Sequence, residues 1–540
     1  SLWRTSLTIG YKHLNMVLFR KYHPMKTKYL FIAASLLALP AVAQETYQNA
    51  IIAGQDLNGT ARYVGMGGAM EALGADISTM STNPAGIALL RHSLVNVSGG
   101  LVMQSGAGSN ATGDKSHASF DQAGFVVSTL KGSNSTFNIG FNYHKDKNFD
   151  YILAAANTLN NASQNKLTYE KLRNGILFPT KSDGSIDFDN PYETYTSIDH
   201  FYLNNLLYDQ NDKTFYYDPA NSFALNREHS GYIGAYDFNF SGSVGRQVYV
   251  GATFGLKDVH YRHNGLYTED LGTQGGVALL DQTKITGTGF DIKAGIIVRP
   301  IETSPFRIGA YVQTPTWYDL TLNNDFYCSG QTTAPYRSGE SYDFKIYTPW
   351  KFGFSLGHTV GNYLALGATY EYADYSTINT RINDGYEYDS WYGDYYETTA
   401  ADHEMNNHTK ATLKGVSTIK LGLEYKPVST LALRLGYNYL SPEYKEDASR
   451  GVDVYSPGTY YTTHTDYTNW KSTNRFTVGL GYQISKFSVD LAYQYSTQKG
   501  DFYAFTPYYD NQDASENCVP TKTDVKNNRS QLLFTLGYHF

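Results

Sequence analysis

Histidines and acidic residues that could bind a metal ion occur in three places along the chain. His403 and His408 are five residues apart, whereas two zinc ligands on one helical face stand four apart, so we interpret the pair as part of a solvated loop. His260 and His263 lie in a predicted strand and point to opposite faces. The acidic residues within 384–404 could collect calcium, but they lack the spacing of a calcium-binding loop and favour a solvated acidic loop. The sequence therefore predicts no metal site.

Other residues that could take part in binding or catalysis also form no clear motif. The segment Gly65-Met66-Gly67-Gly68 resembles part of a dinucleotide-binding loop, but no βαβ unit surrounds it, so we attribute its glycines to close packing. No nucleophile, base and orienting acid can be assembled, which predicts a non-enzyme without catalytic residues and without a cofactor. A net charge of -7 with no basic patch argues against nucleic acid as a partner. Cys328 and Cys518 lie in long loops, where a disulfide and two free thiols both remain open.

The C-terminal residues alternate strictly between apolar and small or polar side chains. Leu532, Phe534, Leu536, Tyr538 and Phe540 share one face. An edge strand of a soluble sheet would show the same period, but about ten such residues are what a lipid-facing strand of a transmembrane barrel requires. The closing pair, Tyr538 and Phe540, resembles the assembly signal of bacterial outer-membrane barrels.

Fourteen segments with this alternation can be placed between residues 93 and 540, and two of them are residues 306–322 and 344–360. Short links alternate with long polar segments, and no later apolar run is long enough for a transmembrane helix. A soluble β-sandwich would not need every long loop on one side. The sequence therefore predicts an all-β fold, a transmembrane antiparallel β-barrel of about 14 strands over residues 93–540.

The N-terminal part of the chain divides into three predicted segments. Two lysines, Lys26 and Lys28, precede an apolar run and the small residues Ala41-Val42-Ala43, which predicts a secretory signal peptide over residues 25–43. Residues 1–24 are interpreted as an upstream extension. Residues 44–92 are glycine-rich and too short for an independent domain, so we expect them to form a hatch, or plug, inside the barrel.

The long connection between residues 151 and 229 contains a predicted amphipathic helix. Ile198, Phe201, Tyr202 and Leu206 recur at helical spacing after Ser197, which could cap the helix. Two interpretations stay open. The helix either presents an apolar surface above the pore, where a ligand could be captured, or packs onto neighbouring loops.

The hatch contains a motif that resembles a known family. Asn83 is a good N-cap and Pro84 suits the first turn of a helix. The residues Asn83, Pro84, Ala85 and Gly86, placed behind a signal peptide and ahead of about fourteen strands, resemble the hatch of the FadL/TodX family of outer-membrane channels for long-chain fatty acids and other hydrophobic compounds. The resemblance covers essentially the whole mature chain. The Tyr- and Asp-rich loops are closer in character to homologues from Bacteroidota.

The resemblance implies a passive, monomeric channel in the outer membrane of a Gram-negative bacterium. A hydrophobic ligand would be caught at the extracellular loops, pass a gating hatch and leave sideways near the third strand. Outer-membrane lipid, lipopolysaccharide and the barrel assembly machinery are the other implied partners. A side exit avoids releasing apolar surface into water, which costs about 25 cal/mol per Å².

The third strand, predicted over residues 136–150, offers two positions for a lateral opening. Gly140 could mark a bend, and the interruption of the apolar face near Asn148, Phe149 and Asp150 could mark a gap. A strand that simply emerges from the bilayer would explain the polar residues equally well. The alternative function is a surface adhesion or scaffolding barrel that acts through its long Tyr-rich loops. A general diffusion porin is disfavoured by the predicted plug.

Overall fold

The computed structural model describes residues 45–106, 116–131, 134–209, 211, 214–330 and 335–540. The predicted signal peptide over residues 25–43, the upstream extension over residues 1–24 and Gln44 lie outside the described residues. Among the described residues, no helix is long and apolar enough to cross a membrane.

Strands dominate the described chain. They are β1 (Leu94–Ser105), β2 (Ser116–Lys131), β3 (Ser135–Asn148), β4 (Tyr151–Thr158), β5 (Tyr208–Asp209), β6 (Thr214–Phe215), β7 (Ser222–Val244), β8 (Val248–Asp270), β9 (Gly276–Val298), β10 (Arg307–Gln313), β11 (Trp317–Gly330), β12 (Tyr336–Tyr347), β13 (Lys351–Val360), β14 (Leu364–Asp374), β15 (Asn379–Asp389), β16 (Asp394–Ala401), β17 (Gly415–Val428), β18 (Leu431–Leu440), β19 (Tyr467–Ile484), β20 (Phe487–Tyr503) and β21 (Thr523–His539).

The helices are short. The α-helices are α1 (Thr46–Ala53), α2 (Ala61–Gly65), α3 (Gln164–Arg173), α4 (Ser197–Asn205), α5 (His403–Thr412) and α6 (Pro457–Tyr460). Single 3-10 turns cover Ile77–Ser81, Pro84–Leu89, Gly272–Gln274, Tyr375–Thr377 and Ala514–Glu516.

Fourteen strands close into an antiparallel barrel. Their order around the wall is β1, β2, β3, β7, β8, β9, β10, β13, β14, β17, β18, β19, β20 and β21, and every neighbouring pair is antiparallel. The last strand pairs with the first, from Leu94 opposite His539 to Ser105 opposite Asn528. The fold class and the strand number predicted from the sequence are confirmed.

Prolines divide two segments that the sequence analysis placed as single strands. Residues 306–322 form β10 and β11, separated at Pro315, and residues 344–360 belong to β12 and β13, separated at Pro349. Proline has no backbone N–H to donate to a strand ladder, which is why the pairing is interrupted at these positions. The wall nevertheless continues, because β10 pairs with β13 and β11 with β12.

An apolar belt surrounds the lower part of the wall. On β8 the exposed outward residues Val250, Phe254 and Leu256 are apolar, whereas the outward residues His260 and Arg262 further along are polar. Strands β7, β8 and β9 each have 23 residues, against about 10 that a tilted strand needs to cross a bilayer. The barrel therefore extends well beyond its apolar belt on the side of the long connections.

The barrel is filled at two levels. Residues 45–92, which we call the hatch segment, pack against the inner wall, and the 3-10 turn Pro84–Leu89 lies on β7, β8 and β9. Above it, α3, α4 and residues 504–522 form what we call the cap. The cap shares one apolar cluster with the upper ends of β4, β7, β8, β9 and β11.

Candidate functional site

Asn83 joins the hatch segment to the wall. Its Oδ1 accepts a hydrogen bond from the Ala85 N–H at 3.2 Å and caps the turn Pro84–Leu89. Its Nδ2 donates to the Glu71 carbonyl at 3.0 Å and reaches the Ile296 carbonyl of β9 at 3.4 Å. The side chain is fully buried. Asn83 thus bonds to three partners, of which one belongs to the wall.

Wall glycines let this turn approach closely. A Cβ at Gly295 would lie 2.0 Å from Asn83 Oδ1, and one at Gly251 would lie 2.5 Å from the Pro84 carbonyl carbon. Ala85 is fully buried, and a Cβ at Gly86 would lie 2.6 Å from the Thr79 hydroxyl within the hatch segment. Any side chain at these glycines would displace the turn.

Buried ion pairs also tie the hatch segment to the wall. Glu71 accepts from the Lys420 ammonium and from the Tyr63 hydroxyl, each at 2.9 Å. Arg62 forms a two-pronged contact with Glu424, at 3.1 and 3.3 Å. Because Glu71 and Lys420 are both buried, breaking that pair would leave an uncompensated charge and cost roughly 3 to 5 kcal/mol, whereas Arg62 is partly exposed and its pair contributes less. The hatch segment is therefore held at several points around the lumen.

The wall has an opening between β2 and β3. Their pairing ends at Gln122 opposite His144, although β2 continues to Ser116 and β3 to Asn148. A β-bulge at Asp146 shifts the register of β3 against β7 at this level. Bulges bend strands and re-aim side chains. The third strand therefore leaves β2 after His144, a few residues before the predicted interruption near Asn148, Phe149 and Asp150.

Hatch residues line this opening from inside. The Asp56 N–H donates to the Asp146 carbonyl at 2.9 Å, and the Asn148 N–H donates to Asp56 Oδ2 at 3.0 Å. Asn58 Nδ2 donates to the Lys145 carbonyl at 3.1 Å. These contacts satisfy backbone groups of β3 that β2 leaves unpaired.

Gly140 has a different role from the bend considered above. It is paired regularly with Val126 on one side and Asn239 on the other. A Cβ at this position would lie 2.1 Å from Met80 Cε of the hatch segment. Gly140 makes room for the hatch segment, and its pairing on both sides shows no bulge.

The residues after β3 turn into the lumen. Asp150 Oδ1 accepts from the Gly231 N–H at 3.1 Å, and Asn148 Oδ1 accepts from the Asp150 N–H at 2.8 Å. Phe149 is buried and meets Tyr261 edge-to-face, with ring centroids 4.9 Å apart. The chain thus moves inward at the upper end of the opening.

Phe149 belongs to an apolar cluster that we call the aromatic chamber. Its walls come from β7, β8, β9, β11, β12 and later strands, and include Ile233, Val259, Tyr261, Ile285, Tyr318, Leu320, Leu322, Tyr342, Phe344, Ile346 and Tyr375. Helix α1 occupies the chamber with Tyr47, Ala50 and Ile52. The chamber is filled by this chain's own N-terminal helix.

Helix α1 is held by polar contacts as well as by apolar packing. Tyr47 donates to Asn469 Oδ1 at 2.9 Å, and its ring stacks on Tyr444 at 5.0 Å. Thr46 Oγ1 lies 2.9 Å from Nδ1 of His408, a residue of α5. The interpretation of His403 and His408 as a solvated loop is therefore wrong, since they lie in a helix that packs on α1.

A small cavity of about 80 Å³ lies below the chamber, beside the β3 bulge. His144 and Asp146 of β3, the hatch residues Asp56 and Asn58 and wall residues including Arg475 line it. Its lining is largely polar and includes several charged residues. An apolar molecule would find favourable surface in the aromatic chamber rather than in this cavity.

The predicted capture helix is present but its apolar face is covered. Helix α4 begins after Thr196, which forms a capping box with Asp199, so Ser197 is the first helical residue and not the cap. Ile198, Phe201 and Tyr202 are buried in the cap cluster, and Leu206 packs against it. Of the two interpretations, packing onto neighbouring loops is the one the structure has, because these side chains fill the cap interior.

The two cysteines are both free and both buried in the cap cluster. Cys518 Sγ donates a weak hydrogen bond to the Ser163 carbonyl at 3.3 Å. Burial raises the pKa of the Cys518 thiol to about 12 and that of the Cys328 thiol well above its usual value. Both groups are therefore protonated and unreactive in the folded protein.

The acidic segment is a hairpin rather than a loop. Strands β15 and β16 pair from Arg381 opposite Ala401 to Asp389 opposite Asp394. Trp391 at the tip is 88% exposed and Tyr392 is 81% exposed. This hairpin presents aromatic and acidic side chains to solvent.

Sequence reasoning missed one cluster of potential metal ligands. His260 and His263 do point to opposite faces, one exposed and one buried. Inside the barrel, however, His263 meets Asp281 and His464. These three residues lie on separate elements and far apart in sequence, so no spacing in the chain could have revealed them.

The closed barrel, its apolar belt and a chain segment folded into its lumen define the class of a plugged transmembrane β-barrel. The chain is similar to a FadL homologue from Pseudomonas aeruginosa, with a TM-score of 0.48 and 12% identity over 90% of this chain and 99% of that chain. It is also similar to the toluene transporter TbuX from Ralstonia pickettii, with a TM-score of 0.47 and 13% identity, and to the toluene transporter TodX from Pseudomonas putida, at 0.48 and 12%, each over 90% of this chain and 99% of that chain. No family model and no curated protein matches the chain.

Proposed function

We propose that this protein is an outer-membrane channel for the passive uptake of hydrophobic compounds, long-chain fatty acids among them. The observation that carries the proposal is the loss of pairing between β2 and β3 above Gln122 and His144, beside the apolar belt of the fourteen-strand wall. A wall needed only for stability would gain from continuing that ladder, because both strands extend further. The opening is the lateral exit.

The opening borders the apolar belt. Phe120 and Tyr143, both on the outer surface, stack at its lower edge with ring centroids 5.6 Å apart. Phe120 is 53% exposed, on a surface that lipid would cover. An apolar molecule leaving here enters hydrocarbon directly and avoids water, at about 25 cal/mol per Å² of surface kept dry.

The aromatic chamber is the ligand-binding region in this proposal. It reaches the opening through Phe149, and its occupant in the structure is α1. Binding of a ligand there requires α1 to move, so the hatch segment acts as the gate. Asn83, Pro84, Ala85 and Gly86 keep the lower hatch in place while the upper part is displaced. The cap, including α4, controls access from outside.

The proposed lateral exit can be tested by measuring uptake in cells that lack their own fatty-acid channel and express this protein instead. Deleting Asp146 removes the bulge and is expected to let β3 pair with β2 along its full length, which should abolish uptake of a radiolabelled long-chain fatty acid. Deleting Asp189, an exposed residue of a loop, is the control and should retain uptake. Heat-modifiable migration in gels shows that both barrels have assembled.

A photoreactive fatty acid provides a second measurement on the unaltered chain. It should label peptides that contain Phe120 or Phe149 in preference to the outer faces of β13 and β14, which lie away from the opening. Equal labelling around the barrel, or unchanged uptake after deletion of Asp146, contradicts the lateral exit.

The hairpin β15–β16 favours a second candidate, a surface adhesion or scaffolding barrel. Trp391 and Tyr392 at its tip are almost fully exposed, and such patches mark interaction sites. If the transport proposal holds, deleting residues 384–398 should leave uptake unchanged. If the hairpin also mediates adhesion, the same deletion should abolish adhesion. Loss of surface binding together with normal uptake in hatch variants would favour the adhesion role.

A further inference from the structure

Three potential metal ligands meet inside the barrel, above the apolar belt. His263 comes from β8, Asp281 from β9, and His464 from the connection between α6 and β19. Their ligand atoms all lie within 4.8 Å of one another. His263 and Asp281 are buried, and the His464 side chain is 12% exposed. The cluster therefore joins a connection of the outer side to the wall.

The distances suit a first-row transition ion. His263 Nε2 lies 2.5 Å from Asp281 Oδ2, and His464 Nδ1 lies 3.8 Å from the same oxygen. Ligands of a tetrahedral zinc ion stand roughly 3.4 Å apart, given bonds near 2.1 Å. An ion that replaces the proton between His263 and Asp281 would lengthen the first distance and shorten the second. Small side-chain movements are sufficient.

The second histidine has an unused ring nitrogen. His464 Nδ1 is buried and makes no hydrogen bond within the described part of the chain. Its ring stands nearly perpendicular to that of His263, at 86° with centroids 5.3 Å apart. Buried polar atoms are normally hydrogen-bonded. His464 Nδ1 faces the Asp281 carboxylate at a distance too long for a hydrogen bond, and a metal ion between the two would give both atoms a partner.

Neighbouring groups orient the ligands as outer partners of metal sites do. Tyr261 Oη lies 3.1 Å from His263 Nδ1 and 3.0 Å from His229 Nδ1. If His263 Nδ1–H donates to Tyr261, and Tyr261 donates to His229, the lone pair of His263 Nε2 is free to bind a metal. In that arrangement, the hydrogen bond to Tyr261 holds His263 in the tautomer that the site needs.

The local charges permit a cation. Two arginines approach the cluster: Arg227 Nη2 lies 3.5 Å from Asp281 Oδ1, and Arg450, which faces Glu45 at 3.8 Å, donates from Nη1 to the His464 carbonyl at 2.7 Å. The Arg227 guanidinium already forms a bidentate ion pair with the Asp466 carboxylate, with N–O distances of 2.7 and 2.8 Å. Its charge is therefore largely offset, and Asp281 keeps an oxygen for another partner.

We propose that His263, Asp281 and His464 form a binding site for a divalent first-row transition ion, with Zn²⁺ as the probe. Two imidazoles and one carboxylate are a common ligand set for zinc, with a further position left for water. Because His464 belongs to the connection that runs from residue 441 to 466, the ion would fasten that connection to β8 and β9.

Metal content tests the site. The full chain, purified in detergent, stripped with a chelator and dialysed against Zn²⁺, should retain one equivalent per chain. His464→Ala and Asp281→Asn should each lose that equivalent. His260→Ala is the matched control, because His260 stands on the same strand and is also paired with an aspartate, Asp258, at 2.8 Å, yet faces outward. Tyr261→Phe should retain the site with roughly 10-fold weaker binding.

Co²⁺ gives a readout that needs no variant. The unaltered chain with one equivalent of Co²⁺ should show the visible absorption bands of a four- or five-coordinate ion with nitrogen and oxygen ligands. Limited proteolysis should cut the connection at residues 441–466 more slowly with Zn²⁺ than with chelator. Absence of these bands, equal Zn²⁺ retention by the unaltered chain and His464→Ala, or equal loss in His260→Ala would overturn the proposal.

Discussion

Asp56 of the hatch segment and Arg529 of the last barrel strand form an ion pair, with 2.9 Å between Oδ2 and Nη2. The same carboxylate accepts the Asn148 N–H at the edge of β3. Arg475 and Lys147 also approach it, at 3.7 and 3.8 Å. One hatch side chain therefore links the opening in the wall to the strand that closes the barrel. In the proposed function, this arrangement makes Asp56 the point at which the position of the hatch and the lateral exit would be coupled.

Replacing Asp56 by Ala should loosen the hatch at the opening. Three cations would lose a shared partner, at a cost of roughly 3 to 5 kcal/mol, because the site is largely dry. Uptake of small apolar probes by whole cells should rise, and the barrel should still assemble. Asp189→Ala, at an exposed loop position, is the control and should change neither property. Unchanged uptake in an assembled Asp56→Ala barrel would contradict the coupling.

Replacing Asn83 by Ala should destabilise the lower hatch. The lost N-cap alone costs about 0.5 to 2 kcal/mol, and the bond to the Glu71 carbonyl is lost as well. The outward belt is untouched, so assembly should be normal while fatty-acid uptake changes. Asn362→Ala, at an exposed turn, provides the comparison.

Removing the whole hatch is the stronger version of the same test. Deletion of residues 44–92 should convert the selective channel into a leak for small hydrophilic solutes, because the lumen would lose the segment that fills it. A barrel that assembles without the hatch and stays impermeable would show that the cap closes the lumen by itself.

The assembly signal can be tested separately. In the structure, the outward residues Leu532, Phe534 and Leu536 continue to Tyr538, whose ring meets Phe487 at 4.9 Å. Phe540 is 62% exposed, its ring meets that of Tyr538 edge-to-face at 5.0 Å, and its N–H donates to the Ser93 carbonyl at 2.9 Å. Removing Phe540 should therefore lower the amount of barrel in the outer membrane with little effect on the stability of barrels already assembled. Normal surface levels would refute the signal.

Sequence patterns were sufficient for the wall and insufficient for its interior. Lipid on one side imposes a period of two on every strand, so alternation alone revealed the fourteen strands and the apolar face of the last one. The bulge at Asp146 depends on contacts with Lys257 and Asp56, which are remote in sequence. The position of α1 in the aromatic chamber likewise depends on contacts with residues that are remote in sequence. Helical spacing revealed α4, but the pattern could not say whether its apolar face met solvent or the cap.

The cysteines allow a direct test of the cap. Both thiols are buried and free, so intact cells should show no labelling by a membrane-impermeant thiol reagent. Denaturation without reductant should then expose two reactive thiols. Labelling of one or both in the folded protein would show that the cap opens on the timescale of the experiment, and failure to label after denaturation would reveal a disulfide.

The stability of the cap should depend on pH through Glu269. This carboxyl lies at the upper end of β8, where its Oε1 accepts from the Gln164 N–H of α3 at 2.9 Å and from the Tyr267 hydroxyl at 2.7 Å. Burial raises the pKa of Glu269 to about 7 from its usual value of 4.5. Burial raises the pKa of Glu170, on α3 itself, in the same direction and to a similar value.

The sign of the effect follows from proton binding. Below about pH 4.5 the closed and the opened cap are both protonated at Glu269, and the stabilisation is fully present. Between about pH 4.5 and 7 the closed cap keeps a proton that the opened cap has lost, so the free energy of opening falls as the pH rises. At about 1.4 kcal/mol per pKa unit, the loss through Glu269 reaches roughly 3.5 kcal/mol and is complete above about pH 7.

Hydrogen exchange of residues 164–173, corrected for the intrinsic pH dependence of exchange, measures this opening. Protection of α3 should decrease between about pH 5 and about pH 8 in the unaltered protein. Glu269→Gln should remove most of that slope, because the amide side chain does not titrate, and the part that remains should belong to Glu170. Glu446→Gln, at an exposed position in the connection after β18, should leave the slope unchanged. Protection of α3 that is independent of pH in the unaltered protein would exclude a role for the burial of Glu269 in holding the cap closed.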